Sequence, residues 1–438
     1  MKSLTYLFMI IASLMSTAFA DVLIAKDFLT QKLIFNSSIL KSDGISNYSK
    51  AYSVSFYFYG NQLILESDNK ELHYQFDIIS KNDEGYVVDF EKGLTSLNYQ
   101  SSIYKTELDL SHPQLKRNII PSSYFKSFKI IDNSKSNLLA AVDLNVPGYE
   151  RVTFQISRDP ALDFSSKNHS NSDQVGVYGT FPNLNNEIFA SKQSLPATYL
   201  YGENFPQDLM PSLKAAVQYW NKALGKELIF LKKASSKDQA LKIGTNYIDY
   251  LSNRDDDGGA RGIFSLNPEN GHIVSSYIYV PSGFKVWGKK YFEEKFPSVN
   301  NSNLDQVVLD YLTHTLAHEI GHTLGLRHNF AASTQSNITT SRSFDALFKN
   351  YLTHLEIPSR VIPATSSMDY ISIDYFAMIG AKMRLAQAPL SYDQAAVRWL
   401  YLDINPEEFG NFCTHYDEPP TVDQGGDIAC QAWDEPHL

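Results

Sequence analysis

The sequence predicts an α+β protein in which a β-rich N-terminal domain precedes a domain of mixed strands and helices. Residues 21–190 contain short runs of aromatic and β-branched residues, including a hairpin predicted over residues 53–65 with its turn at Gly60-Asn61. From residue 195 the pattern changes to strand, helix and strand, and a long helical stretch follows. Strands followed by a region rich in helices are typical of the α+β class.

The C-terminal domain, residues 195–438, is predicted to begin after a polar stretch rich in Ser, Asn and Lys, which indicates loops. Its expected elements are, in order, a strand at 197–201, a helix from Pro211 to Gly225, strands at 241–248, 260–265 and 272–280, a long helix from about residue 303 or 305, a short helix at 344–352 and a last helix at 391–400. Pro at a helix start and Gly at its end follow the known preferences of helix termini.

Residues 1–20 predict a secretory signal peptide. Lys2 precedes an apolar run from Leu4 to about Met15, and Ala18-Phe-Ala20 provides an A-x-A cleavage site. The apolar run is short for a membrane span. We therefore expect a secreted or periplasmic protein without stable membrane insertion after signal removal.

The net charge and the cysteine content limit the binding partners and the bonding state expected of this protein. A net charge of −10 and a pI near 5.6 argue against a nucleic-acid partner and against binding to acidic membranes. The chain has two cysteines, Cys413 and Cys430. In an exported protein this favours one disulfide over two free buried thiols.

The strongest functional signal is the run His318-Glu-Ile-Gly-His322-Thr-Leu-Gly325-Leu-Arg-His328. His318 and His322, four residues apart, lie on one face of a helix. Gly325 allows the helix to stop and turn, so that His328 can join the other two. Three imidazoles around Zn²⁺ leave a coordination position for water, as in catalytic sites. Glu319 can then act as general base towards that water.

The full motif, with Ser366-Ser-Met368-Asp-Tyr370 downstream, resembles the metzincin zinc endopeptidases. The resemblance implies that His318, His322 and His328 bind one catalytic zinc ion, that Glu319 is the base and that Met368 is the Met-turn residue. Tyr370 stands where astacins and serralysins have a tyrosine that can reach the zinc or stabilise the oxyanion. Asn329 departs from the residue that astacins, matrixins, serralysins and adamalysins have after the third histidine. The run Gly-Leu-Arg-His-Asn-Phe is most similar to a matrixin-like group of bacterial secreted proteases.

The resemblance also implies a catalytic domain at 195–438 with a twisted mixed sheet, a long zinc-binding helix and a C-terminal helix. The expected function is a secreted zinc-dependent endopeptidase that acts on protein or peptide substrates laid along the strand at 260–265. Two alternatives stay open: a secreted zinc-binding or toxin-associated interaction protein without turnover, and a zinc hydrolase for other substrates. The domain at 21–190 is an accessory domain or a prosegment.

Three further features have more than one interpretation. The run Asp255-Asp-Asp257 beside Gly258 and Gly259 is expected to be an ordinary polar turn, with a Ca²⁺ loop as the alternative. His272 is expected on a strand surface rather than as a metal ligand, and His314 is expected either to support one of the ligand residues or to pack near the three motif histidines.

Overall fold

The structure, a computed structural model, divides the chain into two compact units, at 1–160 and 161–438. It describes residues 21–41, 46–48, 51–68, 72–95, 125–134, 137–146, 149–158, 164–168, 175–180, 187–267, 269–299, 301–406 and 409–413. The predicted signal peptide at 1–20 and Cys430 lie outside the described residues. None of the described helices is long and apolar enough to cross a membrane.

Within its described residues, the N-terminal unit forms a sheet of ten strands with one short α-helix and a 3-10 helix at Lys26–Leu29, in agreement with the predicted β-rich region. Its strands are β1 (Asp21–Ala25), β2 (Leu33–Lys41), β3 (Ser46–Tyr48), β4 (Tyr52–Tyr59), β5 (Gln62–Ser67), β6 (His73–Lys81), β7 (Gly85–Asp89), β8 (Phe125–Ser134), β9 (Asn137–Val146) and β10 (Tyr149–Arg158), and its helix is α1 (Phe90–Thr95). The strand order is β1-β7-β6-β5-β4-β2-β10-β9-β8, and β3 pairs with β2.

All pairings in this sheet are antiparallel. The predicted hairpin is formed by β4 and β5, and Gly60 supplies the positive φ of 58° that its turn requires. Alternate residues such as Val54 and Phe56 point into the core, where the rings of Phe76 and Phe90 stack at 5.0 Å.

The C-terminal unit contains a five-stranded mixed sheet and six α-helices among its described residues. The strands are β11 (Ala197–Tyr201), β12 (Ile229–Lys233), β13 (Asn246–Leu251), β14 (Arg261–Leu266) and β15 (Ile273–Pro281). The helices are α2 (Met210–Leu224), α3 (Gly283–Lys295), α4 (Asn301–Thr323), α5 (Ser341–His354), α6 (Ile373–Arg384) and α7 (Ser391–Leu402). The order is β12-β11-β13-β15-β14, and only β14 is antiparallel to its neighbour. The sheet is mixed, as predicted, whereas its twist stays a prediction.

Helix α2 lies against the long helix α4 through its apolar face. Trp220 is fully buried, and its indole N–H donates to the carbonyl of Ala317 at 2.8 Å. Gly225 ends α2 in the left-handed conformation, with φ 71°, as the sequence indicated. The hydrogen bond between Trp220 and Ala317 fixes the middle of α4 against α2.

Several elements differ from the sequence-based expectation. Strand β13 begins at Asn246 rather than residue 241, because Lys237–Leu241 is a 3-10 helix and Gly244 turns the chain at φ 82°. Strand β12 and helices α3 and α6 were not predicted from the sequence. Strand β12 has the short sequence IFLKK, with three apolar residues before two lysines, and the apolar positions of α3 are interrupted by lysines, so the periodic signal of these two elements is weak.

The compact C-terminal unit begins about thirty residues before the predicted domain start. The described parts of the preceding polar stretch, 164–168, 175–180 and 187–194, contain isolated β-bridges among irregular segments, in line with the loops that its composition predicted. However, Val175, Val177 and Ala190 are buried in the same core as α2 and α4. Val177 also bridges Leu326, so this stretch packs against the turn that follows α4.

Helices α4 and α6 approach closely at Gly380. A Cβ atom at this position would lie 1.7 Å from the backbone oxygen of Asp310 on α4. The same two helices are joined by an ion pair in which Arg384 Nε lies 2.6 Å from Asp310 Oδ1. The contact is therefore possible only without a side chain at residue 380.

The substitution Gly380→Ala should lower the free energy of unfolding by about 2–3 kcal/mol, because the helices must separate to admit a methyl group. Alanine is the better helix former by about 1 kcal/mol, so helix propensity alone predicts the opposite sign. Thermal and urea unfolding measure the change. The control is Gly259→Ala, where the nearest atom would lie 3.7 Å from the new Cβ. Equal stability of Gly380→Ala and the native protein would contradict the close helix contact.

Candidate metal centre

Helix α4 brings His318, Glu319 and His322 to one place, and a tight turn adds His328. The helix ends at Thr323, and Gly325 adopts φ 103°. A Cβ at Gly325 would lie 1.9 Å from the backbone oxygen of Ser191, so glycine is required for both conformation and space. The helix ends and the chain turns back at Gly325, as the sequence predicted.

The three histidines converge with their ring nitrogens aimed at one another. Their candidate ligand atoms all lie within 4.8 Å of one another. His322 Nε2 and His328 Nε2 are 3.1 Å apart, and the ring centroids of His318 and His328 are 5.2 Å apart. Among the described residues, this is the only group of three or more His, Cys, Asp or Glu side chains that could hold a metal ion.

Hydrogen bonds to backbone carbonyls define which nitrogen of two of these rings carries the proton. His318 Nδ1 donates to the Ser367 carbonyl at 2.8 Å, and His322 Nδ1 donates to the Leu326 carbonyl at 2.9 Å. Because a carbonyl only accepts, Nδ1 is protonated and Nε2 presents a lone pair. Burial, together with the neighbouring imidazoles, holds the pKa of His318 well below its usual range. Neutral imidazoles with converging lone pairs fit a cation such as Zn²⁺.

Glu319 lies beside this group in a nearly water-free environment, with 8% of its surface exposed. Burial raises the pKa of its carboxyl group to about 8, while the N–H of Gly262 and the charge of Arg261 act in the opposite direction. The Gly262 N–H donates to Glu319 Oε2 at 2.5 Å. Gly262 lies on β14, and a Cβ there would approach Glu319 to 3.1 Å. The edge strand therefore holds the carboxylate in place.

Met368 forms the floor beneath the motif helix. It is fully buried, and a Cβ at Gly321 would lie 2.5 Å from its sulfur and 2.8 Å from the Trp220 ring. The carbonyl of Met368 accepts a hydrogen bond from Asn329 N at 2.9 Å. The predicted Met-turn position is thus occupied by a methionine that packs directly under α4.

Asp393 on α7 holds the turn that contains Met368, and the sequence analysis did not identify it. Its carboxylate accepts four hydrogen bonds: from Ser366 Oγ at 2.5 Å, Ser367 N at 2.8 Å, Ser367 Oγ at 2.6 Å and Tyr219 O–H at 2.5 Å. Because the carbonyl of Ser367 accepts from His318, the carboxylate acts on the metal site through a single residue.

Tyr370 covers the histidines on the side of the solvent. It is 52% exposed, and its ring centroid lies 4.2 Å from that of His328 and 5.5 Å from that of His318. Partial burial and the charge of Glu319 raise the pKa of Tyr370 to about 12, partly offset by Arg261. Its phenol is therefore protonated at neutral pH and can donate a hydrogen bond.

The calcium alternative has no support in the structure. Arg254 forms ion pairs with two carboxylates of the acidic run, with its guanidinium 3.4 Å from Asp256 and 3.1 Å from Asp257. At the other end of the unit, Cys413 is buried and disulfide-bonded. Its predicted partner Cys430 lies outside the described residues, so that pairing stays a prediction.

The two additional histidines have different outcomes. His272 is buried rather than on a strand surface, and burial lowers its pKa to about 4. Its Nε2 lies 3.1 Å from Ser194 Oγ, and its ring packs against Phe164. His314 is a packing residue, as expected, with its ring stacked 4.2 Å from that of Phe376.

Comparison with known proteins supports the metzincin class for this part of the chain. Residues 300–411, from α4 to beyond α7, match the family described as Met-zincin. A solved structure titled "Structure of myroilysin" is similar at 14% sequence identity, covering 48% of this chain and 95% of that chain, with a TM-score of 0.23. A TM-score this low supports no conclusion about the fold or the function of this chain. No curated protein matches the chain. The family match and the three histidines together indicate a zinc metalloprotease, while the matrixin-like subgroup stays a prediction.

The substitution Asp393→Asn should weaken zinc binding by about 10- to 100-fold, the usual effect of losing a partner that orients a ligand. An amide places an N–H₂ group against the donors of Ser366, Ser367 and Tyr219, so the Ser367 carbonyl shifts relative to His318. Competition with a chelating dye measures the affinity. The exposed Asp345→Asn on α5 is the matched control, and equal zinc affinity of all three proteins would contradict this role.

Proposed function

We propose that the chain is an exported zinc-dependent endopeptidase. The observation that carries the proposal is the convergence of three histidine nitrogens within 4.8 Å beside the buried carboxylate of Glu319. We assign His318, His322 and His328 as the zinc ligands. Zinc, when bound, supplies a Lewis acid that polarises a carbonyl group and makes water more acidic.

Glu319 acts as the proton carrier in this proposal. Its carboxylate accepts a proton from the attacking water at one oxygen, while Gly262 N–H keeps the other oxygen in place at 2.5 Å. Glu319 then delivers that proton to the nitrogen of the leaving amine. The burial that raises the pKa of Glu319 to about 8 makes the carboxyl group suited to both accepting and releasing a proton near neutral pH.

Tyr370 and strand β14 complete the proposed site. The protonated phenol of Tyr370 donates a hydrogen bond to the negative oxygen that develops on the scissile carbonyl. Strand β14 is the last strand in the order β12-β11-β13-β15-β14 among the described residues. The Gly262 N–H donates to Glu319 and therefore points away from β15. The backbone N–H and C=O groups of alternate residues along this edge of β14 can pair with a peptide chain. A peptide substrate therefore binds as an additional strand.

The remaining assignments extend the proposal to the whole chain. Export rests on the signal-type pattern of residues 1–20. The N-terminal unit serves as an accessory domain or as a prosegment, and mass analysis of the secreted protein distinguishes the two. We assign the enzyme to the matrixin-like group, and the resemblance of the sequence around His328 and Met368 supports this assignment. Cys413 and Cys430 are its disulfide pair.

The substitution Glu319→Gln should reduce casein cleavage by about 10²- to 10⁴-fold, because glutamine cannot accept the proton. Zinc content should stay near one ion per chain, since Glu319 is not one of the three ligands. Mass spectrometry of the native protein and a cleavage assay with and without a zinc chelator measure both quantities. The exposed Glu227→Gln is the control. Undiminished cleavage by Glu319→Gln would contradict the assigned base, and an absence of chelator-sensitive cleavage in the native protein would favour the alternative of a binding protein without turnover.

A further inference from the structure

Arg261, the first residue of β14, is a cation at the edge of the proposed cleft. Its side chain is exposed. Among the residues that the structure describes, it makes no ion pair or side-chain hydrogen bond. The nearby Arg254 differs from Arg261, because its guanidinium group forms ion pairs with Asp256 and Asp257. Arg261 therefore presents a positive charge that the surrounding protein leaves available.

The position of Arg261 places this charge next to the reacting groups. The following residue, Gly262, donates its N–H to Glu319 Oε2 at 2.5 Å. The charge of Arg261 also lowers the pKa values of Glu319 and Tyr370, so it acts on groups on both sides of the cleft. A peptide that pairs with β14 near Gly262 must pass within reach of this guanidinium group.

No other charged residue lies on β14, whose sequence is Arg261-Gly-Ile-Phe-Ser-Leu266. The carboxylate of Glu319 is buried and held by Gly262, whereas Arg261 is at the surface. A side chain of a peptide paired with β14 is therefore accessible to the positive charge of Arg261, whereas the carboxylate of Glu319 is buried. Guanidinium groups pair with carboxylates in a two-pronged geometry that neutral side chains cannot reproduce.

We propose that Arg261 is a specificity-determining residue that selects peptides with an acidic side chain, Asp or Glu, within two residues of the scissile bond. The inference rests on the proposed endopeptidase function. It assigns Arg261 to substrate selection and not to the bond-breaking step. The expected preference is at least about fivefold in kcat/KM, the effect of one partly exposed charge pair.

The experiment uses the secreted, zinc-loaded protein. Cleavage sites in casein are first mapped by mass spectrometry. One cleaved sequence is then made as a set of quenched fluorescent peptides, in which each of the two residues on either side of the scissile bond is replaced in turn by Glu, Gln or Lys. The set is measured with the native protein, Arg261→Gln, Arg261→Glu and the control Arg342→Gln, which changes an exposed arginine on α5.

We expect the native protein and Arg342→Gln to prefer Glu over Gln at one position at least, Arg261→Gln to lose that preference, and Arg261→Glu to prefer Lys. Binding of the labelled Glu and Gln peptides is then measured by fluorescence anisotropy without turnover. Glu319→Gln should bind the Glu peptide more tightly than the Gln peptide by the same ratio, and Glu319→Gln/Arg261→Gln should bind both equally. An indifferent native protein, an unchanged preference in Arg261→Gln, or an equal loss of rate on all peptides would overturn the inference while leaving the peptidase function in place. If the zinc-loaded native protein cleaves neither casein nor peptides, the proposed function fails and the inference fails with it.

Discussion

The hydrogen bond between His318 Nδ1 and the carbonyl of Ser367, at 2.8 Å, joins the two halves of the candidate site. It sets the tautomer of the first motif histidine, and it fixes α4 to the turn that carries Met368. The same turn is held from the other side by the buried carboxylate of Asp393. If this chain of contacts moved, the lone pair of His318 would no longer point towards those of His322 and His328.

The packing around α4 explains why this geometry is rigid. Close approaches at Gly321 and Gly325 leave no room for the helix end to shift, because the neighbouring atoms belong to Met368, Trp220 and the backbone of Ser191. The exposed walls of the site instead carry Arg261, on β14, and Tyr370, two residues after Met368. A fixed floor with an exposed wall suits a site that must hold a metal firmly and accept varied substrates.

The sequence predicted the parts of the site that depend on local spacing. His318, Glu319 and His322 follow from helical periodicity, and Gly325 follows from its conformational freedom. The turn at Ser366–Tyr370 was identified through resemblance to a family. Asp393 could not be identified this way, because its partner Ser367 is 26 positions distant and nothing local marks the contact. Gly262 carried a usable signal, since a glycine inside a predicted strand often marks the close approach of another group.

The fold shows the same division between local and tertiary effects. The hairpin at β4 and β5 and the helix ending at Gly225 depend on neighbouring residues, and both were predicted. The early start of the C-terminal unit depends on three small apolar residues, Val175, Val177 and Ala190, within a polar stretch. Their burial is decided by α2 and α4, which are distant in sequence, so composition alone indicated only a loop.

X-ray absorption spectroscopy at the zinc edge, on protein purified without an affinity tag, tests the central claim most directly. The account predicts one zinc per chain with three imidazole nitrogens at about 2.0–2.1 Å and a remaining position occupied by an oxygen ligand. A zinc ion bound by sulfur, a shell with fewer than three imidazoles, or a protein that binds no zinc at all would contradict it.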